Sequence, residues 1–240
     1  MAAAPEPLAI ERVLRRLDQD LWVIDRPLRV YGLQIGCRMS VVRLADGSLF
    51  LHSPVPHDAE TRRALDALGP VRHVVAPNKV HHLFAGAWRD AAPDALLYAA
   101  PGLPEKRSDL RFDRVLDDDA PSAWDGQIDQ ALCRGIPYTN EVAFCHRGSR
   151  TLLLTDLIFN MHDGENLWTR LWLRAMGIHG ELGVGRHVRH LVRDRAALRE
   201  SLDRILAWDF DRVVVAHGVV LQRAGRRVLR RAFDWLGDRR

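Results

Sequence analysis

The sequence predicts an α/β fold in which two β-sheets are sandwiched between helices. Strand-like and helix-like segments alternate along the chain, and they do so in two halves, each of which begins with strands. At 240 residues, 47% of them hydrophobic and 28% charged, the chain is long enough to bury a sizeable core. No internal repeat or low-complexity linker divides it, so residues 1–240 read as a single domain.

The first third reads as strands. "LWVIDRPLRV" is followed by "MSVVRLADGSLFLHSP", in which apolar alternation on both sides of "ADG" marks a hairpin. "DAETRRALDALG" reads as a helix with Asp58 as N-cap and Gly69 as its stop. "VRHVVAP" is a short buried strand ended by Pro77, and "ALLYAAPG" is another. The polar stretch "EKRSDLRFDRVLDDDAPSAWDG" reads mostly as loop. "IDQALCRGI", "EVAFCHRG" and "RTLLLTDLIFN" then form three successive strands, with "HRGSR" as the turn between the last two.

"ENLWTRLWLRAMGI" reads as a helix with Trp168, Leu171, Trp172, Ala175 and Met176 on one face. That face suits the core or a lid, and a dimer or membrane-surface contact is the alternative. "DRAALRESLDRILAWD" is an amphipathic helix leading into the buried strand "FDRVVVAHG". A basic helix closes the chain, with Val228, Leu229, Phe233 and Trp235 facing inward.

Composition excludes several classes. No run of about 18 apolar residues exists, so no transmembrane helix is expected. The N-terminus lacks the basic-then-apolar pattern of a secretory leader. Cys37, Cys133 and Cys145 lie far apart and read as reduced, buried thiols, which suits a cytoplasmic protein. The net charge of +4 owes much to the C-terminal helix, but acids interrupt its arginines and no nucleic-acid-binding motif is present, so a nucleic-acid partner is not expected.

The chemistry concentrates where strands stop. "HVVAP" leads to His81 and His82, "TLLLTD" ends in Asp156 and "RVVVAH" ends in His217. If the strands lie side by side, three imidazoles and a carboxylate converge. Such a set fits zinc or another borderline divalent ion with room for a water. Each residue alone is an ordinary strand-end side chain, but the same pattern recurs at three separated places. Only two of the 35 Lys and Arg residues are lysine, and one of them, Lys79, falls in "PNKVHH". A compact ammonium in a pocket is not replaceable by a guanidinium.

The order of these segments resembles the metallo-β-lactamase superfamily, from Leu21 to Gly218. That family carries His-x-His-x-Asp-His after a buried strand. Here "PNKVHH" puts His82 in the last position, His81 in the aspartate position, and Pro77 and Lys79 in the first two histidine positions. "RGIPYTNEVAF" places Ile136 near the family's next histidine, "LLLTDLIF" supplies Asp156, and "VAHG" supplies His217. The combination of "PN-x-x-HH" with "YTNE" also resembles an uncharacterised bacterial family of domains of unknown function within that superfamily.

The resemblance implies a four-layer αββα sandwich. It also implies that the first metal site is lost while the second keeps metal-capable residues: His81, His82, Asp156 and His217. The expected protein is a hydrolase with one divalent metal, zinc first and iron second, acting on a small-molecule ester, lactone, thioester or phosphoester. Lys79 would stabilise negative charge and hold an anionic substrate group, and Glu141 would shuttle a proton. Asn78, Tyr138, Asn140, His52 and His162 are neighbours of lesser weight. The alternatives are a non-catalytic binding protein of this fold and a mononuclear-iron redox enzyme.

Overall fold

The computed structural model describes residues 13–162 and 166–237. Most of the N-terminal stretch in which no leader is read, Glu165 at the start of the Trp-rich helix, and the last three residues lie outside them.

Two sheets carry the fold. The larger runs β1 (Arg15–Asp18), β2 (Leu21–Arg26), β5 (Cys37–Arg43), β6 (Leu49–His52), β7 (Val71–Ala76), β8 (Leu96–Ala99) and β9 (Arg114–Val115) in that spatial order. The smaller runs β10 (Ile128–Leu132), β11 (Val142–His146), β12 (Thr151–Leu154) and β13 (Arg212–Val215). A two-stranded ribbon, β3 (Arg29–Val30) with β4 (Leu33–Gln34), projects between β2 and β5 in sequence. The expected hairpin is β5–β6, closed at the Arg43–Leu49 pair.

Each sheet changes from antiparallel to parallel pairing along its width. β6, β7, β8 and β9 are parallel neighbours, and so are β12 and β13. Parallel neighbours end on the same side, so β6, β7, β12 and β13 deliver their following loops in two bundles.

Side-chain alternation builds the layers. Leu153 and Val214 meet Phe50, Val75, Phe144 and Trp124 between the sheets. Leu152, Leu154, Val213 and Val215 point the other way, onto a core closed by α4 (Leu167–Met176), α5 (Arg186–Leu191), α6 (Arg195–Ala207) and α7 (Gly225–Ala232). The outer face of the larger sheet packs on α1 (Ala59–Asp66) and α2 (Ala85–Ala91), with α3 (Leu103–Lys106) beside them. Helix, sheet, sheet and helix form the four layers anticipated.

Asp58 caps α1, its carboxylate accepting from the Thr61 amide. The expected inward face of α4 differs from the observed one. Thr169 and Leu173 are buried, Trp172 and Met176 are half-buried, and Trp168 and Leu171 are exposed. A polar threonine takes the buried stripe because its hydroxyl accepts from the Gln34 amide in the ribbon. The three cysteines are free and buried. Among the described residues no helix is long and apolar enough to cross a membrane.

His52 ends β6 inside the sandwich, edge-on to Phe144, and its buried Nε2 has no hydrogen-bond partner among the described residues. Burial, with a smaller push from His81, lowers its pKa from 6.5 to about 3. The unfolded chain therefore takes up this proton first, and stability falls as pH drops from about 6.5 towards 3. Replacing His52→Leu should remove roughly 3 kcal/mol of that loss near pH 4. Urea midpoints of both proteins across that range would show it as a flatter profile, and an unchanged slope would refute it.

Candidate metal centre

The site is built where β6, β7, β12 and β13 stop. Asn78 follows Pro77 at the end of β7 and is fully buried. Its Oδ1 accepts the amides of Val80 and His81 at 2.7 and 2.6 Å, which winds the segment into a tight turn. That turn brings His81 over the end of the smaller sheet. Asp156 stands two residues past β12, and His217 two residues past β13.

His81, Asp156 and His217 converge. His81 Nε2 lies 3.1 Å from His217 Nε2 and 3.4 Å from Asp156 Oδ2, and His217 Nε2 lies 3.6 Å from Asp156 Oδ1. Each offers a ligand atom within 4.8 Å of the others. The outer ring nitrogens are anchored. His81 Nδ1 pairs with Ser53 Oγ at 2.7 Å, and His217 Nδ1 donates to the Gly36 carbonyl at 2.9 Å. That bond fixes the His217 tautomer and leaves its Nε2 lone pair facing the centre.

Backbone strain helps to aim these groups. Ser53 adopts φ 58, a left-handed conformation uncommon outside glycine, at the position where its hydroxyl meets His81. Gly218 adopts φ 95, and a Cβ there would lie 2.1 Å from the Asn160 carbonyl oxygen. Asn160 accepts the Val219 amide and donates its own amide to the His217 carbonyl, so the close approach holds the His217 loop in place.

Electrostatics favour a cation at the centre. Burial opposes charge on Asp156, yet His81 and His217 beside it hold its carboxyl well below the usual carboxylate range. Burial also opposes protonation of His81, and the Asp156 carboxylate outweighs it and raises the His81 pKa. A small cavity of about 120 Å³ adjoins the three donors. Leu28, Val30, Ile35, Val80, Leu83 and Phe84 line it, with Ser53, Pro54 and Cys37, and no Lys or Arg is among the lining residues.

The remaining anticipated residues sit elsewhere or act differently. His82 does not join the cluster. It is the first residue past the wound turn, and its Nδ1 accepts from the Arg107 guanidinium at 2.9 Å. Burial and the Lys106 and Arg107 charges lower its pKa to about 4, so the ring is neutral. Lys79 donates to the Pro137 carbonyl at 3.0 Å, with its stem beside Gly102.

Glu141 is buried and fully engaged. Its Oε1 accepts the Thr155 amide, and its Oε2 accepts the amides of Asp156 and Leu157. Asn78 Nδ2 donates to Thr155 Oγ1, to Asp156 Oδ2 and, at 3.3 Å, to Glu141 Oε2. Burial and the neighbouring Asp156 charge push the Glu141 pKa up, against the backbone donors that favour its carboxylate. Three backbone N–H donors and the Asn78 amide together take up the acceptor capacity of this carboxylate, so its place is behind Asp156 rather than in front of it. Tyr138 is exposed and Asn140 donates to the Pro101 carbonyl.

Sequence reasoning did not single out Ser53 or the Gly36 carbonyl. Ser53 had a legible signal, a hydroxyl one residue past a strand end. A backbone carbonyl has none.

Comparison with known proteins gives a family and a fold. The sequence matches a family described as a domain of unknown function (DUF4336) over residues 18–166, more than half of the chain. No curated protein matches it. Among solved structures it is similar to a metallo-β-lactamase from Pontibacter korlensis, at 14% identity and TM-score 0.65, covering 94% of this chain and 99% of that one. A metallo-β-lactamase from Erythrobacter litoralis is similar at 15% identity and TM-score 0.66, covering 93% and 95%. The flavodiiron core Flv1 from Synechocystis sp. is similar at 13% identity and TM-score 0.64; the match takes in 93% of this chain and 60% of that one. At these identities the likeness is one of fold.

The buttress behind Asp156 is testable by itself. Glu141→Gln keeps the shape but turns an amide group towards backbone N–H donors, and should lower unfolding free energy by about 3 kcal/mol in denaturant titration. An unchanged midpoint would show that Glu141 does not hold the loop.

Proposed function

The chain belongs to the DUF4336 family and has the metallo-β-lactamase fold, and from that premise we propose that it is a metal-dependent hydrolase with one divalent ion held by His81, Asp156 and His217. The observation that carries this is the spacing of the three donor atoms. Ligand bonds of about 2.1 Å in a tetrahedral set place donors roughly 3.4 Å apart. The separations here are 3.1, 3.4 and 3.6 Å. Two imidazole nitrogens at 3.1 Å with an ionised carboxylate beside them need a shared cation or proton between them. Zinc suits this donor set first and iron second.

Support for one ion rather than two comes from the positions aligned with the family's first-site histidines. The Pro77 carbonyl accepts the Val142 amide, and the Lys79 amide donates to the Thr139 carbonyl, so the two segments are zipped together through their backbones. Ile136 is buried in the helix-side core. None of these three offers a ligand atom.

When bound, the metal would lower the pKa of a coordinated water and polarise the scissile group. Ser53 and the Gly36 carbonyl hold the imidazoles, while Asn78 and Glu141 hold Asp156. The apolar cavity beside the donors favours the neutral members of the substrate set, an ester, lactone or thioester with a small apolar group, over a phosphoester. A second reading rests on the donor set itself. Two histidines and one carboxylate also frame mononuclear iron redox sites.

Elemental analysis of protein purified without chelators tests the proposal. About one metal per chain is expected, lost in His81→Ala and His217→Ala and retained in His82→Ala. Zinc supports the hydrolase, and iron with a visible-range spectrum supports the redox reading. No metal bound or taken up leaves a non-catalytic binding protein.

A further inference from the structure

The β3–β4 ribbon turns through Tyr31 and Gly32, and Tyr31 takes φ 50 while Gly32 takes φ 81. Two successive positive φ values mark a turn that ordinarily takes Asn-Gly. A bulky aromatic in the left-handed region is a strained choice. Inside the protein nothing offsets it, because Tyr31 is 95% exposed. The strain therefore points outward.

Tyr31 has exposed apolar company. The Trp168 indole packs against Gly32, the Asn166 side chain donates to the Gly32 carbonyl, and Thr169 Oγ1 accepts the Gln34 amide, so the ribbon is tied to α4. On α4, Leu167, Trp168 and Leu171 are 62, 56 and 50% exposed. Leu83 is 56% exposed and shares the donor-lined cavity with Val30, the residue before Tyr31. Single exposed apolar residues need no explanation, but a run of neighbours that includes Trp and Tyr does. Arg29, Arg170 and Arg174 on the same elements are exposed and form no ion pair among the described residues.

We propose that the tip of the β3–β4 ribbon and the outer face of α4 form a docking surface for an anionic lipid bilayer. Tyr and Trp settle at the headgroup level, Leu side chains reach the acyl boundary, and arginines meet anionic headgroups. A tip with Tyr31 almost wholly exposed suits insertion into a soft interface better than seating in a rigid partner. The net charge of +4 adds a general, unlocalised attraction to anionic lipid. The cavity beside His81 would then open next to the lipid surface, since Val30 and Leu83 belong to both. The docking itself does not depend on the metal.

Flotation with vesicles tests it, comparing phosphatidylcholine alone with phosphatidylcholine plus phosphatidylglycerol. The protein should float with the mixed vesicles only, and less at high salt. Arg170→Glu with Arg174→Glu should weaken binding at least fivefold. Tyr31→Asn should relieve the turn, leave folding intact and still weaken binding severalfold, as should Trp168→Ser. No flotation of the unaltered protein, or equal flotation of all variants, would overturn the proposal. So would a dimer seen by sedimentation velocity and lost in Tyr31→Asn and Trp168→Ser, because a second copy would then own the surface. Metal content on the same samples should be unchanged in every variant, which separates failure here from failure of the metal assignment.

Discussion

The site depends on a single buried contact between two loops, the bond from Asn78 to Asp156. Asn78 is the last residue before the His81 turn, and Asp156 is the carboxylate that His81 must meet. The amide is used at both ends. Its oxygen takes two backbone N–H groups of one loop, and its nitrogen reaches Thr155 and Asp156 on the other and Glu141 just before β11. Because the oxygen faces two fixed donors, the amide cannot be flipped without losing both bonds. Glu141 completes the arrangement from below by collecting the backbone amides around Asp156. A buried charge is tolerable in such a place only because these donors surround it.

This explains how a centre with few ligands is kept in shape. The family resemblance implies a second cluster of histidines as neighbours of the first. At the aligned positions of this chain, the Pro77–Lys79 segment pairs through its backbone with residues 139–142, and Ile136 packs in the helix-side core. Hydrogen bonds and apolar packing hold these loops together. With Asn78 and Glu141, they bring the three donors to within 4.8 Å of one another.

Much of the fold was legible because its signals are local. Apolar runs in β7, β12 and β13, the "ADG" hairpin and the Asp58 cap each declare themselves within a few residues. The convergence of His81, Asp156 and His217 was legible from strand ends, since parallel neighbours must end together. What escaped were matters of direction. His81 and His82 are adjacent in sequence, and only the turn that Asn78 winds decides which ring faces Asp156. Glu141 and Lys79 carry the residue types of catalysis, yet their partners are backbone groups that no sequence pattern announces. The face of α4 was misread because Trp168 and Leu171 are apolar and Thr169 is not, while the ribbon amide that selects Thr169 lies 135 residues away in sequence.

The electrostatic balance of the centre follows from the same placement. Asp156 is buried, and burial alone would drive its carboxyl towards the neutral form. It stays ionised because two imidazoles face it, and His81 is drawn towards protonation because Asp156 faces it. The pair thus asks for one positive charge, and either a proton or a metal ion can supply it. A proton on His81 Nε2 can be shared with His217 Nε2 at 3.1 Å, but it cannot at the same time serve Asp156, whose oxygens lie 3.4 and 3.6 Å from the two nitrogens. A divalent ion satisfies both nitrogens and the carboxylate together. Since Ser53 and Gly36 hold the rings from behind, neither ring can turn away to relieve the mismatch without breaking a second bond. The arrangement of two nitrogens and a carboxylate therefore suits a divalent ion better than a single proton.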